Sequence, residues 1–399
     1  MSFRKLDDWL TSYLEFTKDS EPPELYHIWT GISTIAACLQ RKCFLQWGSF
    51  SVFPNLYIVL VGPPGRTRKG TAMAFGKSFL QRLQVKTCPE SITREALIRE
   101  LKNANEMLIE ETTGITSTHS SLTVYSPELV VFLGYNQQQL VMDLTDLFDC
   151  GNGPEGKWTY RTKTQGSDEI FGVWLNLMGA TTPTLIRNSL CSTVVGGGLA
   201  SRMIFVYQEN KRFSQAEPIP LNTQLGEDLY YDLETIRMMR GQFKVTPDFI
   251  KLWKEYYDKE ENPFQDQHLA GYWERRGLHT FKISMTFSAS RSNDMIITVE
   301  DLEKAIALLR RTEKKMSYTF TGVGDSPHAV VLGKLMQYIG TIGREVSETE
   351  IKEKFILEAD FNLLGYMLKS LKQINFITER ITESETYYKW KPKRREDDE

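Results

Sequence analysis

The stretch that most limits what this chain can fold into is Tyr57 to Thr71, YIVLVGPPGRTRKGT. Its first five residues are apolar and mostly β-branched, the composition of a parallel strand buried on both faces. They run without a break into a Gly/Pro loop that ends in Arg68, Lys69, Gly70 and Thr71, and residues 72–83 then have helical composition. Strand, glycine loop and helix start together cradle phosphates, because successive backbone N–H groups and the positive helix end face one concavity. A lysine then reaches the outer phosphates and a hydroxyl meets Mg²⁺. Gly62, Pro63, Pro64, Gly65, Arg66, Thr67, Arg68, Lys69, Gly70 and Thr71 are therefore the candidate nucleotide-binding residues, with ATP and Mg²⁺ as the expected cofactors.

Against the pattern G-x-x-x-x-G-K-[ST], Gly62 and Gly65 fit. Thr67 stands where a further glycine is usual, Lys69 comes one residue late, and Gly70 separates it from Thr71. Two alignments follow: Lys69 and Thr71 are used with one residue looped out, or Arg68 takes the lysine's place. A flexible ammonium suits the gap between β- and γ-phosphates better than a planar guanidinium, which favours Lys69. The plainer alternative is a Gly/Pro turn between a core strand and an exposed basic helix start.

A chain of 399 residues has room for two or three domains. Its 41% hydrophobic and 25% charged residues are ordinary for a globular protein, and a net charge of −3 confines any nucleic-acid surface to a local basic patch. Cys38, Cys43, Cys88, Cys150 and Cys191 are odd in number and scattered, which argues for a reducing cytoplasm and against a disulfide framework or zinc site. The start MSFRKLDDWL lacks the apolar run of a signal peptide, and no uncharged apolar stretch is long enough to span a membrane.

Residues 1–22 read as an amphipathic packing helix and residues 24–40 as a largely buried one, in which His27 is a satisfied helix histidine. Residues 93–110 have the pattern of a surface helix introduced by Ser91, residues 112–121 that of a loop, and residues 122–125 that of a short strand stopping at Ser126-Pro127-Glu128. A strand neighbouring a phosphate loop commonly ends in an acid that holds Mg²⁺ or polarises the attacking water, and Glu128 stands there. Ser126 occupies the place of a frequent aspartate. Ser-Pro-Glu also has the makings of an ordinary helix start, with Ser126 as N-cap of a helix over 127–133; both readings can hold together.

Asp143, Asp146 and Asp149 recur at three-residue spacing, read here as solvent-facing charges of an amphipathic helix. Lys157 to Thr164 alternates, with Lys157, Thr159, Arg161 and Lys163 on one face and Trp158 and Tyr160 on the other: a nucleic-acid contact or an ordinary edge hairpin. Residues 171–180 form another buried strand, and Thr181 or Thr182 at its end is suited to sensing a γ-phosphate. After Gly196, Gly197 and Gly198, Arg202 precedes a strand over 203–207 and is a candidate to reach a phosphate of its own or a neighbouring subunit.

From 226 to 315 the pattern is helical throughout, over 227–240, 246–261, 269–291 and 299–317, as in a lid. The last part places helices over 328–340, 347–355 and 360–373, then strands over 376–381 and 387–390, which is the winged-helix pattern. Its third helix has only Lys369 and Lys372 as cations, so protein as well as DNA remains a candidate partner; Lys389, Lys391, Lys393, Arg394 and Arg395 form a basic cluster beside the wing. The expected division is an ATPase core with N-terminal helices at 1–217, a helical lid at 218–321, and a winged-helix domain with a charged tail at 322–399.

The order of these segments resembles phage- and plasmid-borne P-loop ATPases of the primase-helicase type over residues 24–311. The resemblance is carried by ELYHIWTGISTIAACLQRK, FPNLYIVLVGPPGRTRKGT, SPEL, LFDCGNG with KWTYRTKTQG, NLMGATTP and GGGLASR. It implies an α/β, AAA+-like P-loop NTPase core. By match of motif, Lys69 and Thr71 would bind phosphate and Mg²⁺, Glu128 would act in hydrolysis and at the metal, Thr181 would sense the nucleotide, and Arg202 would complete a neighbour's site. It further implies a cytoplasmic homo-oligomer, a hexameric ring, moving on single-stranded or forked DNA as a replicative helicase. No primase-like metal site is visible. An ATP-switched loader, regulator or defence component, and a nucleotide-independent DNA-binding protein, are the competing classes.

Overall fold

Asp8 opens the first helix, α1 (Trp9–Phe16), by accepting a hydrogen bond from the Thr11 N–H, and Trp9, Leu10 and Tyr13 are buried beneath it. In α2 (Glu24–Leu39) every residue after Glu24 is buried, so this helix lies inside the molecule, as its apolar circumference requires. The computed structural model describes residues 4–109, 116–134, 138–151, 156–162, 166–186, 198–264, 266–320, 329–382 and 385–391. They fall into two compact units, Met1–Thr319 and Phe320–Glu399.

The first unit continues with a hairpin of β1 (Cys43–Trp47) and β2 (Phe50–Val52), then β3 (Tyr57–Val61), α3 (Lys69–Arg82) and β4 (Thr87–Cys88). The surface helix expected over 93–110 is shorter: α4 (Arg94–Asn103) is capped by Thr93 and gives way to β5 (Asn105–Ile109). β5 pairs antiparallel with β6 (Thr116–Ser126), so part of the expected loop is strand. That pairing turns a polar segment with no strand signal of its own into sheet. Next come α5 (Leu129–Leu133), α6 (Gln138–Phe148), the hairpin β7 (Trp158–Thr162) and β8 (Gly166–Ile170), β9 (Val173–Thr181), α7 (Pro183–Leu185) and β10 (Met203–Tyr207). Cys191, Gly196 and Gly197 lie outside the described residues.

The main sheet has the order β10-β3-β9-β6-β4, with all four of these pairings parallel and β5 along the edge of β6. Helices flank it, giving a mixed α/β fold. β9 is buried along its whole length. Its one amide, Asn176, accepts from the Leu56 N–H (2.9 Å) and donates to Ser33 Oγ (3.1 Å), so a polar group in the middle of the core is matched on both sides.

The remainder of the first unit is α8 (Thr223–Met238), β11 (Gly241–Val245), α9 (Pro247–Lys259), α10 (Ala270–Arg291), β12 (Ile296–Ile297) and α11 (Val299–Glu313). The all-helical expectation for 226–315 misses β11 and β12. These strands join the first hairpin in a second sheet of order β12-β11-β1-β2, where β1 and β11 run parallel. Residues 218–321 consequently do not form a compact unit apart from 1–217. The Trp9 indole donates to the Leu229 carbonyl and the Trp29 indole to Thr312 Oγ1, buried bonds that bind the two halves together.

In the second unit α12 (Ala329–Ile342) leads through β13 (Val346–Ser347) to α13 (Glu348–Phe355), α14 (Phe361–Gln373) and the hairpin β14 (Ile377–Ile381) and β15 (Thr386–Trp390). The three strands pair antiparallel in the order β13-β15-β14. Leu335, Ile339, Ile351, Leu364, Leu368 and Ile377 are at the centre of a core belonging to this unit alone. Lys393, Arg394 and Arg395 lie outside the described residues.

Candidate functional site

Parallel pairing puts the C-terminal ends of three strands side by side: Val61 of β3 lies opposite Thr181 of β9, and Gly179 opposite Ser126 of β6. The Lys69 loop, Thr181 and the Ser126–Glu128 turn therefore share one edge of the sheet. In open α/β sheets this edge is where ligands bind.

The loop begins at Gly62, whose N–H reaches the Thr181 carbonyl (3.4 Å). A Cβ at this position would sit 2.5 Å from the Gln208 carbonyl oxygen and 2.8 Å from both Thr67 Oγ1 and the Tyr26 hydroxyl, so only glycine fits. Gly65 adopts a left-handed φ of +68°. Arg68 takes φ +53°, a left-handed conformation costing a non-glycine residue about 1 kcal/mol or more.

This kink sends the two cations in different directions. Arg68 turns outward, its Nε 2.8 Å from Glu21 Oε2. Lys69 becomes the first residue of α3 and folds over the loop, donating to the carbonyls of Gly62 (2.7 Å) and Pro63 (3.2 Å). Burial lowers the Lys69 pKa from the usual lysine range, and the Glu128 carboxylate acts in the opposite sense. The first turn of α3 contains no acidic residue, so its N–H groups face the loop without a competing carboxylate.

Glu21, which sequence reasoning passed over, fixes this region. It accepts from Lys211, from the Gln215 N–H and from Arg68, and the Lys211 bond is the main reason its pKa falls to about 2. Thr71 is exposed and lines a cleft of about 620 Å³ with Phe16, Glu21, Arg68, Phe75 and Leu221.

Ser126 is not an N-cap. It closes β6, so the helix starts later, at Leu129, with Glu128 as the exposed residue before it and no side-chain cap. The Ser126 and Thr181 hydroxyls are both buried without a hydrogen-bond partner among the described residues. Buried hydroxyls left in this state at a strand edge are what a ligand or ordered water would satisfy. The Thr182 hydroxyl, by contrast, accepts from the Leu185 N–H at the start of α7 (3.3 Å). No group of three or more His, Cys, Asp or Glu able to hold a metal occurs among the described residues. One carboxylate and several hydroxyls fit a hard cation that keeps most of its ligands from phosphate and water.

Arg202 is not brought to this edge. It ends a 3₁₀ turn (Ala200–Arg202) before β10, and Met203 pairs with Tyr57, which puts it roughly 13 Å away at the opposite end of the sheet. It is buried within its own chain, its Nη2 2.7 Å from Asp149 Oδ2 and its Nη1 donating to the Gly198 carbonyl (3.1 Å).

One other sequence reading changes. Asp143 is buried and clamped by Arg94 Nε and Nη2 (2.6 and 3.1 Å), so it is not a solvent-facing charge. Arg94 also lies over the Tyr160 ring (4.7 Å), and Tyr160 stacks on Trp158 with ring planes 5° apart. Trp158 and Tyr160 on this face of β7 are half-buried, and Lys157 is paired with Glu169 (2.8 Å); Lys163 lies outside the described residues. Cys38, Cys43, Cys88 and Cys150 are free and buried, and no helix among the described residues is long and apolar enough to cross a membrane. A scan of the chain against protein-family models and a search of curated protein sequences matched nothing.

Proposed function

We propose that this chain is an ATP-dependent DNA motor, a replicative-helicase type of ATPase working as an oligomeric ring. The observation that carries the reading is the register of β3, β9 and β6, which aligns a lysine-bearing glycine loop, a buried threonine without a partner among the described residues, and an exposed glutamate along one strand edge. In this reading Gly62 to Thr71 is a P-loop that takes the phosphates of ATP, with Lys69 on the outer ones and Arg68 outside the cradle. Thr71 and Glu128 would hold Mg²⁺, which would neutralise phosphate charge; Glu128 would orient the attacking water, and Thr181 would contact the terminal phosphate. Arg202 would serve a neighbouring subunit after leaving Asp149. The second unit is read as a winged helix.

A second reading, an ATP-switched loader or regulator, is favoured by one feature of that unit. Phe361 (52% exposed, with Lys352 over its ring) and Tyr366 (73% exposed) present aromatic surface on α14, while Lys372 is engaged by Glu379, a surface better suited to protein than to DNA. Steady-state ATP turnover measured with and without single-stranded DNA separates the two. Stimulation by DNA supports the motor, unstimulated turnover supports the loader, and absence of nucleotide binding removes both.

A further inference from the structure

At the other end of the first unit is a cavity of about 890 Å³ with aromatic walls, within the size range of small-molecule sites. Trp47 comes from β1 and Phe53 directly follows β2, Trp253 and Tyr256 come from α9, and Trp273 and Phe281 from α10. Lys282 of α10 also lines it, although that side chain is buried (3% exposed). Its ammonium stands 4.3 Å from the centre of the Phe148 ring and donates to Asn55 Oδ1, a neutral amide.

Lys282 stands apart in the charge balance around this cavity. Asp149 is taken by Arg202 (2.7 Å) and lies 3.6 Å from Arg275. Glu260 is taken by Arg276 and Arg310 (2.6 Å each), and Glu313 by Arg276 and the Tyr272 hydroxyl. Among the described residues, four arginines thus serve these three carboxylates, the further lining carboxylate Glu274 is exposed, and Lys282 makes no carboxylate ion pair. A buried ammonium without an anion is costly, and burial pushes this amine down to about 8, with Cys150 and Asp149 opposing.

We propose that the cavity binds a planar aromatic molecule bearing a single anionic oxygen group, its ring among the indoles and its anion on Lys282. A nucleoside polyphosphate does not fit this description, since it would bring several negative charges to the single Lys282 ammonium beside the exposed Glu274. The site is distinct from the Lys69 edge, because Asp149 in its wall holds Arg202 at the opposite end of the sheet.

The test uses the full chain and two fluorescent probes of similar shape, anilinonaphthalene sulfonate and uncharged phenylnaphthylamine, with energy transfer from tryptophan as the signal. The wild type should bind one equivalent of each, and an excess of Mg-ATP should displace neither. Lys282→Met should weaken the sulfonate about tenfold or more while changing the uncharged probe less than about twofold; Trp273→Ala should weaken both. Absence of saturable binding, displacement by ATP, or an equal effect of Lys282→Met on both probes overturns the proposal. If Lys282→Met loses the native near-ultraviolet dichroism, Trp273→Ala and the exposed mouth variant Tyr257→Ala decide: weakened binding of both probes sustains the site, and unchanged binding overturns it.

Discussion

The opposite orientations of Arg68 and Lys69 lead to a quantitative prediction for Lys69→Met and Arg68→Met. In the structure the Lys69 ammonium satisfies itself on the Gly62 and Pro63 carbonyls, so binding a phosphate exchanges these acceptors for anionic oxygens. A unit charge about 4 Å from such an oxygen is worth about 4 kcal/mol at an effective dielectric of about 20. Giving up two carbonyl bonds at about 1 kcal/mol each leaves about 2 kcal/mol, or about 30-fold in Kd. Arg68 has a side chain 49% exposed and is occupied by Glu21, a surface pair worth about 1 kcal/mol at most, so its loss should change Kd by less than about fivefold. Lys69→Met should remain folded, because it removes a partly buried charge without opening a cavity. Calorimetric titration with Mg-ATP and a non-hydrolysable analogue at constant ionic strength gives both constants. A larger loss in Arg68→Met, or equal losses in the two variants, would refute the assignment of Lys69 as the phosphate-binding cation.

Glu128→Gln should leave ATP affinity within about threefold and slow turnover about 100-fold, since the amide keeps the shape but cannot polarise water; equal loss of both would point to a role in folding. Inactive Arg202→Ala and inactive Lys69→Met subunits should regain part of the wild-type turnover when mixed under conditions of assembly, as an arginine acting across a subunit boundary requires. Asp149→Asn is the control: if it matches Arg202→Ala in melting temperature and turnover, and mixing restores nothing, the arginine acts only on its own chain. Burial holds the imidazoles of His27 and His119 at about 4 and that of His279 at about 3, all below their ordinary value of 6.5. Each is neutral in the fold and takes a proton on unfolding, so the unfolded state binds more protons and stability falls as pH drops from about 6.5 towards 4, by up to about 1.4 kcal/mol per pH unit per histidine. Urea midpoints at pH 7 and pH 5 isolate this effect from Glu21, which titrates lower; identical midpoints contradict it.

Local pattern alone was enough for much of the chain. The five apolar residues of β3 and the glycine loop behind them announce a buried strand opening onto a helix, because both faces of β3 are covered and Gly62 leaves no room for a side chain. The buried α2, the strand ending at Thr181 and the order of helices and hairpin in the second unit were equally legible, since each depends on periodicity and caps within a few residues. Long-range pairing was not legible. Nothing in NEMLI says that it will lie against β6, and nothing in Gly241–Val245 says that it will extend the sheet of β1. The tertiary structure alone decided that β9 separates β3 from β6, that Arg68 faces Glu21 while Lys69 covers the loop, and that Arg202 is held by Asp149 at the far end of the sheet. The physical reason is the same in each case. A strand's own residues fix which faces must be buried, whereas its neighbours, and so the side chains that meet at its end, are chosen by backbone hydrogen bonds that carry no residue-specific signal.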